Sequence, residues 1–139
     1  CGIIPVMAAS GPDITRSAAG RVAAEAVWLP SVLCSDDVSW TATDSSHAHA
    51  KFTAHGETVE LELAVGGRGQ LESIRLQRWG NPEGAEFRYE SFGAIIEGEA
   101  TFDGYTIPTR LRIGWHFGTE RFELEGEFFR AIIDDATYR

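Results

Sequence analysis

Lysine is almost missing from this chain: Lys51 stands alone beside eleven arginines. Bases as a whole are outnumbered, 12 against 21 acids, which leaves a formal charge of −9 at pH 7. Nucleic-acid binding needs a basic face, and the arginines here are scattered through an acidic chain, so neither nucleic acid nor an anionic membrane surface is expected as a partner. Cysteine is equally scarce. Cys1 and Cys34 are too few for a disulfide framework or a thiolate metal site, and Cys34 reads as a free thiol. No run approaches the ~18 consecutive apolar residues of a membrane-spanning helix, so this segment is not expected to insert into a membrane. Gly-x-Ser-x-Gly does not occur, which leaves Ser10, Ser17 and Ser91 without a nucleophile elbow. Gly66-Gly67-Arg68-Gly69 lacks both the spacing and the following helix of a phosphate-binding loop. No cofactor is expected.

What is present suits a single packed domain. Hydrophobic residues make up 43% and aromatics 11% of 139 residues, and a chain of that length buries roughly two thirds of its extended surface on folding. The chain starts Cys1-Gly2, which fits a mature lipidated protein of the cell envelope. The apolar Ile3-Ile4-Pro5-Val6-Met7 follows at once, where a tethered protein would carry a polar linker. A domain boundary inside a longer, cytoplasmic chain is therefore preferred, with residues 1–139 as one β-rich domain forming its C-terminal part.

Residues 10–30 read as a helix. Ser10 and Asp13 resemble a capping box, Pro12 suits the first turn, and Ile14, Ala18, Val22, Ala26 and Leu29 recur at helical spacing until Pro30 stops the pattern. The stripe is mostly alanine, so this helix can approach a sheet closely. From Val38 onward the pattern alternates with period two. Expected strands are Val38–Thr43, His47–Ala54, Glu57–Val65, Gln70–Trp79, Phe87–Phe102, Tyr105–Phe117 and Phe122–Ile133. The expected fold is mainly β (α+β): a curved antiparallel meander of about seven strands, a half-barrel, with the helix on its concave apolar face.

Turn chemistry fixes the registers. A two-residue turn at His55-Gly56 pairs Ala54 with Glu57, His49 with Glu62 and Lys51 with Glu60. Phe52 and the alanines of that strand then share the other face with Val59, Leu61 and Leu63. His47 and His49 have the spacing of a strand metal pair, but no glutamate follows about four residues later, and cross-strand ion pairing accounts for them better. Asp103-Gly104 likewise pairs Phe102 with Tyr105 and places Glu97 opposite Arg110, so Glu97 and Glu99 read as ion-pair partners on the outer face. Through the last turn, Phe117 is expected opposite Phe122, Trp115 opposite Leu124, Arg112 opposite Glu127 and His116 opposite Glu123. Pro108, inside a strand, implies an edge or a bulge.

Several elements resemble a known family: GRVAAEAVWLPSVL (Gly20–Leu33), the Trp40…Asp44 element leading into His47–Phe52, Gly69–Leu71, GYTIPTRLRIGW (Gly104–Trp115), and the closing F-x-x-A-x-I-D of Phe128–Asp134. In these the chain is similar to a family of uncharacterised bacterial and archaeal proteins with a domain of unknown function, whose members are longer. That resemblance implies no catalytic residues. The order of one helix followed by a meander also resembles lipoprotein carriers of the LolA/LolB type, an architectural analogy with no motif behind it.

A helix of about sixteen residues spans ~24 Å, whereas seven strands at ~4.8 Å make a sheet roughly 30 Å wide. Part of the apolar face is left over, to be closed by curvature, by missing N-terminal chain, by a second copy in a homodimer, or by an apolar ligand. The leading expectation is non-enzymatic binding of a lipid-like or hydrophobic molecule there, lined by Trp28, Phe52, Leu61, Ile107, Leu111, Trp115, Phe117 and Phe128. The rival readings are an assembly module, and an enzyme with a pocket-mouth site drawn from Asp44, Tyr105, Arg110 and His116.

Overall fold

The computed structural model describes residues 11–84 and 86–138. Cys1, the apolar lead Ile3–Met7 and Ser10 of the expected capping box lie outside them. Helix α1 (Pro12–Glu25) opens with Gly11 at the cap and Pro12 in its first turn. Its buried face is Ala19, Gly20 and Ala23. A Cβ at Gly20 would come within 2.7 Å of the Arg78 Cγ, so small residues let the helix backbone settle onto the stem of Arg78. The helix tightens into a 3-10 turn, Ala26–Trp28. Pro30 ends the pattern less abruptly than its chemistry predicts, because it also opens a short second helix, α2 (Pro30–Leu33), where a missing N–H is no loss.

Seven antiparallel strands follow in sequence order: β1 (Ser39–Ala42), β2 (His47–Ala54), β3 (Glu57–Val65), β4 (Leu71–Gly80), β5 (Arg88–Phe102), β6 (Tyr105–Trp115) and β7 (Glu127–Ile132). They form one unclosed sheet with β1 and β7 as its edges. The β2–β3 hairpin has the register its turn dictates, with Ala54 opposite Glu57, Lys51 opposite Glu60 and His49 opposite Glu62. His55 and Gly56 both have positive φ, 50° and 76°, the backbone a two-residue hairpin loop requires. Asp103 and Gly104 repeat this, and Phe102 pairs with Tyr105. Glu97 does not sit opposite Arg110. The register is irregular on both sides of Gly98, which takes Arg110 as its partner next to Pro108, so the proline is accommodated by a local bulge inside the sheet.

The last hairpin departs further from the alternating pattern. His116 adopts φ 58° and ends β6, and Phe122–Gly126 coil into a single π turn, so the final strand begins only at Glu127. Gly114, Ile113 and Arg112 pair with Glu127, Phe129 and Arg130, in place of the Trp115–Leu124 and Phe117–Phe122 pairings expected for a short loop. Phe117 therefore leaves the helix-side face and packs edge-on against Phe122. Leu124 projects into solvent at 80% exposure. Arg112 reaches Glu127 even so, at 3.1 Å, and Arg130 reaches the same carboxylate at 2.6 Å.

Those two guanidiniums, Arg130 first and Arg112 second, hold the Glu127 carboxyl down from 4.5 to about 2. A depressed carboxyl contributes stability that is complete above its unfolded value and is lost as pH falls through its folded value. Glu127→Gln should accordingly flatten the decline in stability between pH 4.5 and about 2. Urea midpoints measured across that range check this, and parallel pH profiles for the two proteins would refute it.

The core lies between α1 and the sheet: Ala23, Ala26 and Val27 from the helical segment meet Ala50, Phe52, Leu61, Ile74, Leu76, Phe92, Ala94 and Leu111. Helix α1 packs over β2, β3 and β4. The β5–β7 side is met instead by the 3-10 turn and the C-terminal segment. Trp28 donates its indole N–H to the Pro108 carbonyl at 3.1 Å, and the Tyr138 hydroxyl donates to the Trp28 carbonyl at 2.9 Å. No helix among the described residues is long and apolar enough to cross a membrane.

Candidate functional site

Because α1 lies off-centre, an open cleft of about 290 Å³ remains beside it over β4–β7. Ile74, Phe92, Ala94, Leu111 and Ile113 form its floor. Val27 and Trp28 make the wall on the helix side, and Phe128 and Phe129 make the opposite wall. The two phenylalanines are 61% and 50% exposed, more than aromatic rings on an inward face ordinarily show. Wider depressions elsewhere are more open; that over β2–β4 mixes His49 and the charged Lys51, Glu60, Glu62 and Arg75 with Val59, Leu76 and Tyr89.

Three charged side chains line the cleft: Arg21 and Glu25, which pair with each other along α1 at 2.9 Å, and Arg78 from β4. Arg78 has the same β4 parity as Ile74 and Leu76, so its stem is carried under the helix and its guanidinium stands beside the apolar floor. Its Nε donates to the Ser17 carbonyl at 3.2 Å and an Nη to the Ser17 hydroxyl at 3.4 Å. The charged plane lies 4.7 Å from the Phe92 ring centroid and 5.1 Å from that of Trp115. Among the described residues no carboxylate forms an ion pair with it. Burial lowers its pKa to about 10, Arg21 nearby adds to the depression, and Glu25 opposes it. The cleft thus joins an apolar floor to a desolvated cation with N–H groups to spare.

Of the eight aromatic and aliphatic residues expected to line a ligand site, Trp28, Leu111 and Phe128 do line this cleft. Trp115 stands behind it, edge-on to Phe92 at 5.0 Å. Leu61 and Ile107 are sealed in the core at 0% and 2% exposure, and Phe52 lies under α2 beside a separate depression. Phe117 has crossed to the other side of the sheet. Sequence reasoning missed Arg78, although a legible signal exists: a charge at an apolar parity position of a strand.

The polar groups proposed for a pocket-mouth enzyme are not gathered. Asp44 lies in the β1–β2 loop, where the Ser46 backbone N–H, then His47, hold its carboxyl down at about 2. Tyr105 and His116 sit at opposite ends of β6, and Tyr105 stacks on Tyr138 at 4.8 Å. His47 and His49 are each taken by a separate carboxylate, Asp44 at 3.0 Å and Glu62 at 3.1 Å. His116, expected on the outer face opposite Glu123, is instead 6% exposed.

The sequence matches a family of unknown function, DUF6920, over residues 1–138. The chain belongs to that family. No curated protein and no solved structure matches it, so the likeness to LolA/LolB-type carriers rests on element order alone.

Proposed function

We propose that this DUF6920 domain binds an anionic amphiphile, a fatty-acid-like molecule whose tail lies on the apolar floor of the cleft and whose acid head meets Arg78. The observation that carries the reading is a guanidinium that no carboxylate of the described residues pairs with, Glu25 of the same lining being held by Arg21, at the edge of an open apolar cleft. A buried charge is costly unless it is paired and hydrogen-bonded, and an incoming carboxylate would complete the set that Ser17 begins. Each tail methylene removed from water contributes about 0.8 kcal/mol. The cleft volume sits near the lower end of the roughly 300–1,000 Å³ typical of small-molecule sites, which suits one chain.

Protein purified without detergent and weighed by native mass spectrometry, then again after denaturation, tests occupancy directly. Releasable mass matching an amphiphile supports the reading, whereas a bare dimer would favour a second copy over Phe128 and Phe129. The role of Arg78 is tested by titrating delipidated protein with dodecanoate and with dodecanol. Arg78→Met keeps an apolar stem under Gly20 and should weaken dodecanoate by roughly 10- to 100-fold, the range for a hydrogen bond to a charged group, while leaving dodecanol unchanged. Equal losses for both ligands would remove the head-group assignment.

A further inference from the structure

At the far end of β6, three elements that are distant in sequence bring polar side chains together. Glu83 comes from the β4–β5 loop, His116 from the end of β6 and Glu125 from the π turn. One donor atom of each lies within 4.8 Å of the other two. His116 Nε2 is 3.7 Å from Glu83 Oε1 and 4.0 Å from Glu125 Oε1, and its Nδ1 is 3.9 Å from Glu90 Oε2. All three separations exceed hydrogen-bonding distance. The imidazole is therefore 6% exposed, aimed at carboxylates through both nitrogens, and hydrogen-bonded to none of them. Its backbone is fixed independently, the N–H donating to the Ser91 carbonyl at 2.7 Å and the carbonyl accepting from the Thr119 hydroxyl at 2.7 Å.

Two exposed glutamates on their own would be ordinary surface charge. What sets this cluster apart is a nine-tenths-buried imidazole whose Nε2 faces both of them at 3.7 and 4.0 Å. Donors bound to a common tetrahedral zinc at about 2.0–2.2 Å stand roughly 3.4 Å apart, so the histidine contacts at 3.7 and 4.0 Å must close by about 0.3 and 0.6 Å and the two carboxylates, within 4.8 Å, by at most about 1.4 Å. Glu90, on the Nδ1 side, occupies the place of the carboxylate that commonly orients a metal-bound histidine. A cation already favours the position: the Arg121 guanidinium contacts Glu83 Oε1 and Glu125 Oε1 together. Arg121 is nearly half exposed and can swing into solvent.

We propose that Glu83, His116 and Glu125 form a site for one divalent first-row transition ion of the zinc class, with Arg121 as the competing resident cation. One imidazole nitrogen among two carboxylate oxygens selects such ions over magnesium, which holds to oxygen and water. Three protein ligands leave a coordination position open toward solvent, where the exposed glutamates face. The cluster lies on a different loop set from the apolar cleft and shares no residue with it, so this inference is independent of amphiphile binding.

The test is isothermal titration of the chelator-stripped 139-residue protein with zinc chloride at neutral pH, and with magnesium chloride in parallel. Zinc should bind with one-to-one stoichiometry and magnesium at least about a hundredfold more weakly. Glu125→Gln, an isosteric change at an exposed side chain, and His116→Asn, compatible with positive φ, should each weaken zinc by at least the roughly 10- to 100-fold that even outer partners of a metal site contribute. Arg121→Gln should do the opposite and tighten zinc, an effect that a purely structural salt-bridge cluster would not produce. Circular dichroism checks that His116→Asn is folded, and Glu125→Gln carries the test if it is not. The proposal is overturned if zinc fails to bind both the parent and Arg121→Gln, if binding survives Glu125→Gln undiminished, or if it disappears in His47→Ala instead.

Discussion

Leu61→Ala should cost about 3–4 kcal/mol of stability, the middle of the range for deleting a fully buried leucine side chain, and leave amphiphile binding by the folded protein unchanged. Leu61 is 0% exposed. It points from the middle of β3 into the space under α1, beside Ala50 on the neighbouring strand, and does not line the cleft. Alanine there opens a cavity walled by regular strands and a helix already drawn tight at Gly20, so the surroundings have little freedom to collapse. A loss of that size corresponds to a fall in melting temperature of roughly 10 °C or more for a domain of this length. Urea unfolding gives the free energy, and titration at a temperature where the variant is folded gives the affinity. A change in affinity beyond about twofold there would mean that the helix is displaced on ligand entry and the cleft extends into the core.

That distinction between core and cleft was only partly legible in the sequence. Alternation assigned nearly every strand residue to the correct face, because one face must be buried and a slip of one residue would expose it. The His55-Gly56 and Asp103-Gly104 turns were legible for a second reason: their positive φ values leave a two-residue loop with a single register. The last hairpin was not. Gly118-Thr119-Glu120 looks like a short turn, but the chain leaves β6 at His116 and spends five residues on a π turn, and nothing in FELEG departs from alternation. One local irregularity moved Phe117, Leu124 and His116 away from their expected places.

The same irregularity explains why the two candidate sites differed in legibility. The cleft depends on which residues share a sheet face, a local property, and three of its lining residues were named from pattern alone. Its Arg78 also obeys the pattern, as a charge in an apolar register. The Glu83–His116–Glu125 cluster depends on where a loop, a strand end and a π turn meet. No spacing in sequence encodes that meeting, and the cluster forms only because His116 breaks the alternation that would have sent it outward.

Ile113→Asp should abolish amphiphile binding, with a loss of at least about a hundredfold, while the protein stays folded. Ile113 lies on the cleft floor from β6, paired with Ala94 on one side and Phe129 on the other. It is only partly buried, so aspartate can keep its charge hydrated in the empty cleft and the fold survives. A bound tail would strip that hydration, and an unpaired carboxylate against hydrocarbon costs several kcal/mol, more than the roughly 2.7 kcal/mol that a hundredfold represents. Replacing isoleucine also removes about 1.5–3 kcal/mol of apolar contact that the tail would otherwise gain. Dodecanol must lose affinity along with dodecanoate, since the penalty falls on the tail, and this separates Ile113→Asp from Arg78→Met, which should spare the alcohol. If dodecanoate still bound Ile113→Asp within tenfold of the parent, with far-ultraviolet circular dichroism unchanged, the tail would have to lie elsewhere, and the cleft would lose its claim to be the binding site.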